Sequence, residues 1–469
     1  MDIAPIILAY LLPTGALLVA WGSWDAQRAR TNTATALMVM ALAALTYTAI
    51  GFGFQFGGVG LRPDVPAGLH GLDRLWSFAG GSTQTWGIIG LKGFWLNVPS
   101  TQPGDTALVF TLFLHQLPIV MAAALVPALA LAGRARHFTL VFITMLMAGL
   151  IVPLIGMWTW GGGWLNTLGD NVKFGHGFID PGGAAAIFMA AGCITLAALS
   201  ALKIRKSTAP APAQLPPIYL PLRTIAGAIA FGFGWLAWLT TDPILQSNRS
   251  IDLAFGATNV LLGASAATLV ALAYGWFTTG KPDSFLAARG ALGGWIASSA
   301  TALFVPTWAA IAIGAVAGLW LPIGLYCIDR FLHLDDPSGS IATAGLSGLW
   351  SIIAAGLLAD GTYGAGWNAI GVRDYLGVPG QGVTGLLAGA NLQNDPGQMS
   401  AQITGAITIV CLALIVTWLL TRPLRRVNER GLEIENLGSE LRERADQPRN
   451  QTHNHRDEAS EEPSEEVII

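Results

Sequence analysis

The chain has 469 residues, of which 53% are hydrophobic and 11% are charged, and its formal net charge is −3. A soluble globular protein carries roughly twice that charged share, and the mean hydropathy here is +0.54. Composition therefore excludes an ordinary soluble protein and predicts a chain that crosses a lipid bilayer many times. The three cysteines lie inside apolar stretches and form neither a metal-ligand spacing nor a disulfide framework.

The first apolar run, residues 3–22, is long and has no basic segment before it, which favours a transmembrane helix over a cleaved signal peptide. Ten further runs of membrane-spanning length follow, at residues 34–57, 106–132, 138–160, 180–203, 220–241, 250–277, 286–305, 308–330, 338–359 and 400–421. The sequence thus predicts an all-α polytopic membrane protein with eleven transmembrane helices. Fourteen Lys and Arg residues fall on one face and six on the other, which predicts an outer N-terminus and a cytoplasmic C-terminus.

Two of these runs open alike, with Asp-Pro-Gly-Gly at 180–183 and Asp-Pro-Ser-Gly at 336–339. Each opens the fifth helix of a half, and the halves, 1–206 and 218–360, are joined by a Pro- and Ala-rich linker at 207–217. Because each half has five spans, the two halves have opposite orientations. This predicts an inverted five-plus-five repeat, followed by one last helix.

An acidic residue followed by proline fits a helix start, where N–H groups are unpaired and negative charge is favoured. We therefore predict structural roles for Asp336, Pro181 and Pro337. Two roles stay open for Asp180, which either caps its helix or helps to bind a cation at the outer mouth.

The segments outside the repeat have simpler predictions. The membrane domain covers residues 1–421, a short tail motif follows at 422–440, and the polar segment 441–469 is predicted to be disordered. The Gly-, Trp- and Pro-rich segments 58–105 and 361–399 are predicted to cover the outer face.

Several local motifs occur together and in order. They are the turn at 21–32, AGRAR at 132–136, WGGGWL at 160–165, TTGKPDSFLAARGALGG at 278–294, AGLW at 317–320, DDP at 335–337 and GLEI at 431–434. With these motifs the chain resembles the ammonium transporter family (Amt/Mep/Rh) over residues 1–440. The resemblance implies a homotrimer in the cell (plasma or inner) membrane, with one pore per subunit, and a PII-type signalling protein as a cytoplasmic partner.

The resemblance also shows where this sequence departs from its family. In the family each half carries a pore-lining histidine eight residues after the helix-starting aspartate. Here those two positions hold Phe188 and Ala344, so we predict a pore lined by these residues that lacks both histidines.

The outer vestibule of the family holds its substrate cation with aromatic faces and a hydroxyl. Trp160 matches the family tryptophan, while the phenylalanines of helix three align with His115 and Ile119 and the one of helix six aligns with Trp238. The serine aligns near Thr241 or Asp242. Together with Asp180, the predicted outer vestibule is therefore Trp160, Asp180, His115, Ile119, Trp238 and Asp242. For His115 a polar contact between helices is an equally open role.

These features predict a transporter or channel for ammonium or ammonia that works without a relay between two histidines. A non-conducting ammonium sensor on the same scaffold is an alternative, and so is a channel for another small neutral molecule such as carbon dioxide. The sequence has no nucleophile–base pair, metal-ligand cluster or phosphate-binding loop, and it therefore predicts neither an enzyme nor a cofactor, a metal or a nucleic-acid partner.

Overall fold

A computed structural model describes residues 3–22, 26–78, 86–98, 105–204, 219–247 and 251–429. In this part of the chain a helix coincides with each predicted span, which confirms the predicted fold class. The long helices are α1 Leu11–Gly22, α2 Ala26–Thr46, α3 Asp105–Leu131, α4 His137–Leu146, α5 Ala184–Ala201, α6 Tyr219–Thr240, α7 Leu253–Thr279, α8 Ser284–Ser299, α9 Thr307–Cys327, α10 Ser347–Leu358 and α11 Pro396–Thr421. The predicted linker at 207–217 and the tail beyond residue 429 lie outside the described residues.

Some of these helices are extended by π-helical turns, two of which lead into a further α-helical segment. The extensions are Tyr47–Gly51 and Phe52–Phe56 after α2, Met147–Ile151 and Val152–Thr159 after α4, Ile328–Leu332 after α9, and Ile341–Leu346 directly before α10. Separate short α-helices lie at Ala4–Leu8, Leu168–Val172 and Pro243–Ser247, and short 3₁₀-helices lie at Val59–Leu61, Ala67–Leu69, Phe94–Leu96, Trp367–Ala369 and Arg422–Leu424. By length and composition, eight helical segments of the described chain could cross a membrane, and two shorter apolar ones lie at Ala4–Ala20 and Ala186–Ala201.

Aspartates begin several of the helices. The side chain of Asp252 accepts a hydrogen bond from a backbone N–H in the first turn of α7, and Asp283 does the same for α8. Asp395 does so for α11. A carboxylate there satisfies N–H groups that have no partner within the helix, which explains why the helices begin where they do.

Equivalent helices of the two halves pack on each other. The first helices, α1 and α6, lie along each other, and so do the fifth helices, α5 and the segment 341–358 that contains α10. Contacts between equivalent elements are what a two-fold relation between the halves produces. At the crossing of the fifth helices, a Cβ atom added to Gly192 would lie 2.4 Å from Gly345 Cα. The backbones therefore touch there because neither position carries a side chain.

Two small antiparallel hairpins lie in the segments predicted to cover the outer face. One pairs β1 (Leu75–Ser77) with β2 (Gly87–Gly90), and the other pairs β3 (Asp374–Tyr375) with β4 (Val378–Pro379). The Trp158 indole N–H donates to the Ile88 carbonyl at 2.9 Å, which attaches the first hairpin to the end of the fourth span.

Replacing Gly192 by alanine should separate the two fifth helices. The added methyl group has no room against Gly345, and such overpacking costs about 1–3 kcal/mol. The free energy of unfolding in detergent would measure the loss. Gly275→Ala is the matched control, because its Cβ would meet neighbours at an ordinary 3.4 Å. Equal stability of the Gly192→Ala variant and the parent would contradict the close crossing.

Candidate functional site

The turn that begins α5 is built around one aspartate. The backbone oxygen of Asp180 accepts a hydrogen bond from the Gly183 N–H at 3.0 Å, and its Oδ2 accepts one from the Ala186 N–H at 2.6 Å. Gly183 has a φ of +65°, which glycine adopts without strain. Pro181 follows the aspartate and has no N–H to leave unpaired. The carboxylate, 1% exposed, thus supplies the acceptor that the first turn of α5 lacks.

The turn before α10 repeats this arrangement. The Asp336 backbone oxygen accepts from the Gly339 N–H at 3.1 Å, and its Oδ2 accepts from the Ile341 N–H at 2.9 Å. Gly339 has a φ of +67°, and Pro337 again follows the aspartate. Asp336 Oδ1 also accepts from the Ser338 hydroxyl at 2.7 Å. The two motifs therefore form similar turns, although the carboxylate accepts from the sixth residue after Asp180 and from the fifth after Asp336.

Two indole rings cover the first of these turns. The Trp160 indole N–H donates to the Asp180 carbonyl at 3.0 Å, and the Trp160 and Trp238 rings lie 6.4 Å apart. A Cβ on Gly183 would lie 2.4 Å from one ring and 2.5 Å from the other. A larger residue at 183 would therefore displace the rings, so the glycine serves both the turn and the rings above it.

An imidazole extends this aromatic surface. The His115 ring stacks on Trp238 at 5.0 Å and 14°. Its Nδ1 lies 3.3 Å from the Thr241 hydroxyl, and its Nε2 lies 3.5 Å from an Asp242 carboxylate oxygen. Ile119, one turn farther along α3, is fully buried and adds an apolar side chain. We call Trp160, Trp238 and His115 the outer cluster.

The predicted pore residues lie on one cavity. Phe188 and Ala344 both line a space of about 50 Å³, and the Phe188 ring meets Phe231 edge to face at 5.7 Å. Such a volume holds at most a few water molecules. Phe188 is 2% exposed and Ala344 is 3% exposed, so the cavity is closely packed. We call it the pore cavity.

Two glutamines that sequence reasoning missed bind the backbone of residues 176–179, the segment that leads into the Asp180 turn. Gln402 donates to the Ile179 carbonyl at 2.9 Å and accepts from the Ile179 N–H at 2.9 Å. Gln398, one turn earlier on α11, donates to the Gly177 carbonyl at 2.8 Å and accepts from the His176 N–H at 2.9 Å. Two buried glutamines at i and i+4 in an apolar span were the available signal.

The loop before the Asp180 turn also contains a buried imidazole. The His176 ring is fully buried and packs against Tyr375 at 4.3 Å. The Tyr375 hydroxyl donates to Asp395, the residue that caps α11, at 2.7 Å. Burial disfavours the charged imidazole and lowers the pKa of His176 to about 4. The loop is therefore packed around a neutral histidine.

A family model described as the Ammonium Transporter Family matches residues 3–443. The chain belongs to the Ammonium Transporter Family. Ammonium transporter Amt2 of Archaeoglobus fulgidus is 31% identical over 59% of this chain and 59% of its own length. Putative ammonium transporter sll1017 of Synechocystis is 29% identical over 58% of this chain and 59% of its own length. The alignments thus span about three fifths of these two relatives.

The fold is also that of solved family members. A structure described as "Sensor Amt Protein" superposes with a TM-score of 0.70 and 21% identity, covering 91% of this chain and 92% of that one. At this identity the likeness shows the fold. Together with the membrane-length helices it makes this chain a multi-pass membrane protein of the family.

The two positions predicted to line a pore hold no histidine, unlike the pattern that the family resemblance implies. Asp180 and Asp336 form equivalent turns, so counting eight residues from each leads to Phe188 and Ala344 in the same register, and both face one cavity. An imidazole is found instead in the outer cluster, at His115. The structure brings Trp160, Trp238, His115, Asp180 and Asp242 together at the N-terminal end of α5 and the C-terminal end of α6.

Replacing Gln402 by leucine should weaken the positioning of the Asp180 turn. The backbone N–H and C=O of Ile179 would lose both partners, and each buried unsatisfied group costs about 1–3 kcal/mol. We expect a lower free energy of unfolding and faster proteolysis of the loop. Gln402→Glu is the matched control, because it keeps the acceptor and loses the donor. A leucine variant as stable as the parent would contradict this role.

Acid should destabilise the packing around His176. The unfolded chain binds the proton with an ordinary pKa of 6.5, and the folded chain binds it only near 4. This group therefore leaves stability unchanged above about pH 6.5 and reduces it by up to about 3 kcal/mol as the pH falls toward 4. Unfolding measured at pH 7.5 and 5 should show a smaller pH difference in His176→Phe. An unchanged difference would contradict the buried neutral imidazole.

Proposed function

We propose that this chain carries ammonium nitrogen across the membrane as neutral ammonia, as a transporter or channel rather than an enzyme, and without a relay between two pore histidines. The pore cavity is the observation that carries this proposal. Phe188 and Ala344 occupy the two positions where the family resemblance expects imidazoles, and neither side chain can hydrogen-bond a passing ion.

The free energy needed to move an unsolvated ion into the pore cavity distinguishes passage of ammonium from passage of ammonia. The lining of the pore cavity is mostly apolar, and its polar members are Arg289, Ser338, Ser340 and Thr343. A cation that enters it gives up its water for at most a few hydroxyl oxygens, and the free energy needed is several kcal/mol or more. Ammonia carries no net charge and loses much less. A cavity of about 50 Å³ beside Phe188 has room for a molecule of that size.

The outer cluster is where we propose that ammonium binds before it loses its proton. Aromatic faces attract cations, and the indoles of Trp160 and Trp238 lie 6.4 Å apart above the Asp180 turn. The Asp242 carboxylate lies beside the His115 imidazole at 3.5 Å and adds negative charge at the end of α6. Asp180, whose Oδ2 is engaged by the helix start, contributes mainly by holding the turn beneath the rings.

Assembly and orientation belong to the same proposal. Membership of the family supports a homotrimer in a lipid bilayer, and a PII-type signalling protein is the proposed partner at the cytoplasmic face. The excess of basic residues, fourteen against six, supports an outer N-terminus and a cytoplasmic C-terminus.

A sensor on the same scaffold is the second candidate function, and the tight packing of the path favours it. Trp238 is 1% exposed and Phe188 is 2% exposed, so each closes the path in this conformation. Such a protein would bind ammonium at the outer cluster and pass nothing across the membrane.

Flux through purified protein in liposomes separates these functions. With an ammonium chloride gradient, we expect the lumen to become alkaline faster than in protein-free vesicles, with no ammonium-dependent current on a solid-supported membrane. A current that scales with the flux would show that the ion crosses. Absence of extra flux would favour the sensor, and acidification under a carbon dioxide gradient would favour a channel for that gas.

Widening the pore cavity should raise the flux. In Phe188→Ala the ring that meets Phe231 is removed, so we expect alkalinisation to become several-fold faster. Phe188→Leu is the matched control, because it keeps an apolar side chain of comparable bulk and should change the rate less. If Phe188→Ala left the rate of correctly folded protein unchanged, Phe188 would not lie on the path.

A further inference from the structure

One cationic side chain of the membrane region lies beside the pore cavity. Arg289 lies within the predicted span 286–305, and the structure places it in the second turn of α8. A guanidinium nitrogen donates to the Pro337 carbonyl at 2.6 Å. A Cβ on Gly339 would lie 3.2 Å from Arg289 Nε, so the guanidinium packs on the turn that Asp336 builds.

Arg289 is shared by two cavities. It lines the pore cavity together with Phe188 and Ala344. It also lines a second space of about 440 Å³, which we call the inner pocket. In the described part of the chain, Arg289 is the residue that the linings of both cavities have in common. The guanidinium therefore stands where the pore cavity and the inner pocket meet.

Carboxylates line the cavity on one side of Arg289 and not the cavity on the other. The inner pocket is lined by the carboxylates of Asp329, Asp335 and Asp336. None of these three lines the pore cavity, where Arg289 is the charged residue among the described lining residues. A cation is thus attracted into the inner pocket and then meets the guanidinium before it can reach Phe188.

We propose that Arg289 is a specificity-determining residue that keeps cations out of the pore cavity and leaves the way open to neutral molecules. The inference rests on the proposed function, because it names the residue that makes that pore select ammonia over ammonium. A fixed positive charge a few ångströms from a second cation, at an effective dielectric constant of about 20, lowers the occupancy of that cation by about tenfold or more. An arginine is a known type of electrostatic barrier in membrane pores.

Two carboxylates, Asp336 and Asp283, lie close enough to interact with the guanidinium, but neither lines the pore cavity. Asp336 also accepts from Ser338 and Ile341 on its own turn. Asp335 pairs with Arg134 at 2.8 Å. Among the described charged residues, Arg289 is therefore the one that a cation inside the pore cavity meets.

A thiol placed in the pore cavity tests whether Arg289 keeps cations out of it, and the test does not require transport. Thr343 lines the cavity, and Thr343→Cys would be made in a chain whose three native cysteines are replaced by alanine. In detergent, the thiol is exposed either to silver ion, a small monovalent cation, or to methyl methanethiosulfonate, which is neutral. The thiol that remains is then measured by mass spectrometry after denaturation.

We expect Arg289→Asn to raise the rate of reaction with silver ion by about tenfold or more and to change the rate with the neutral reagent by less than about twofold. Arg289→Lys, the matched control, keeps the charge and should keep the slow reaction with silver. Equal silver rates in Arg289→Asn and the parent would overturn the proposal. So would a Lys variant as reactive as the Asn variant, or an equal rise with both reagents, which would mean that Arg289 blocks by size.

Folding and transport are checked separately. The neutral reagent reports whether each variant retains a closed cavity, and size-exclusion chromatography reports whether it retains its assembly. Because labelling does not depend on flux, a failure of wild-type protein to move ammonia would overturn the proposed function and leave this test to decide the role of Arg289.

Discussion

The architecture depends on two carboxylates that begin the fifth helices of the two halves. A helix start has N–H groups with no partner in the helix, and each such group is costly where water does not reach it. Asp180 and Asp336 satisfy them at 2.6 Å and 2.9 Å, through the same turn with a left-handed glycine. Because the turns fix where both fifth helices begin, they also fix which side chains, eight residues later, reach the pore cavity.

The Asp180 and Asp336 turns have similar backbones, but different side chains lie on them. Trp160 donates to the carbonyl of Asp180 at one end, and Arg289 donates to the carbonyl of Pro337 at the other. An aromatic face attracts a cation, while a guanidinium repels one. Phe188 adds an apolar ring to the pore cavity. The same repeated turn thus carries an indole at one fifth helix and a guanidinium at the other.

Sequence reasoning named several side chains that lie together in the fold, because the motifs at Trp160 and Asp180 set the register of the helices that carry them. The structure does bring Trp160, Trp238, His115 and Asp242 together. The glutamines of α11 could not be found in this way, since Gln402 meets Ile179 from 223 positions away in the chain. The position of Arg289 could not be found in this way either, because its contact with Pro337 is also distant in sequence.

By itself the sequence determined what depends on near neighbours: membrane-length apolar helices, two equivalent Asp-Pro turns, and apolar residues at 188 and 344. Each follows from local hydrogen bonding or from transfer of side chains out of water. Only the tertiary structure decided which side chains cover those turns and that Arg289 stands between the pore cavity and the inner pocket. Those arrangements arise from packing between distant helices, which no local pattern encodes.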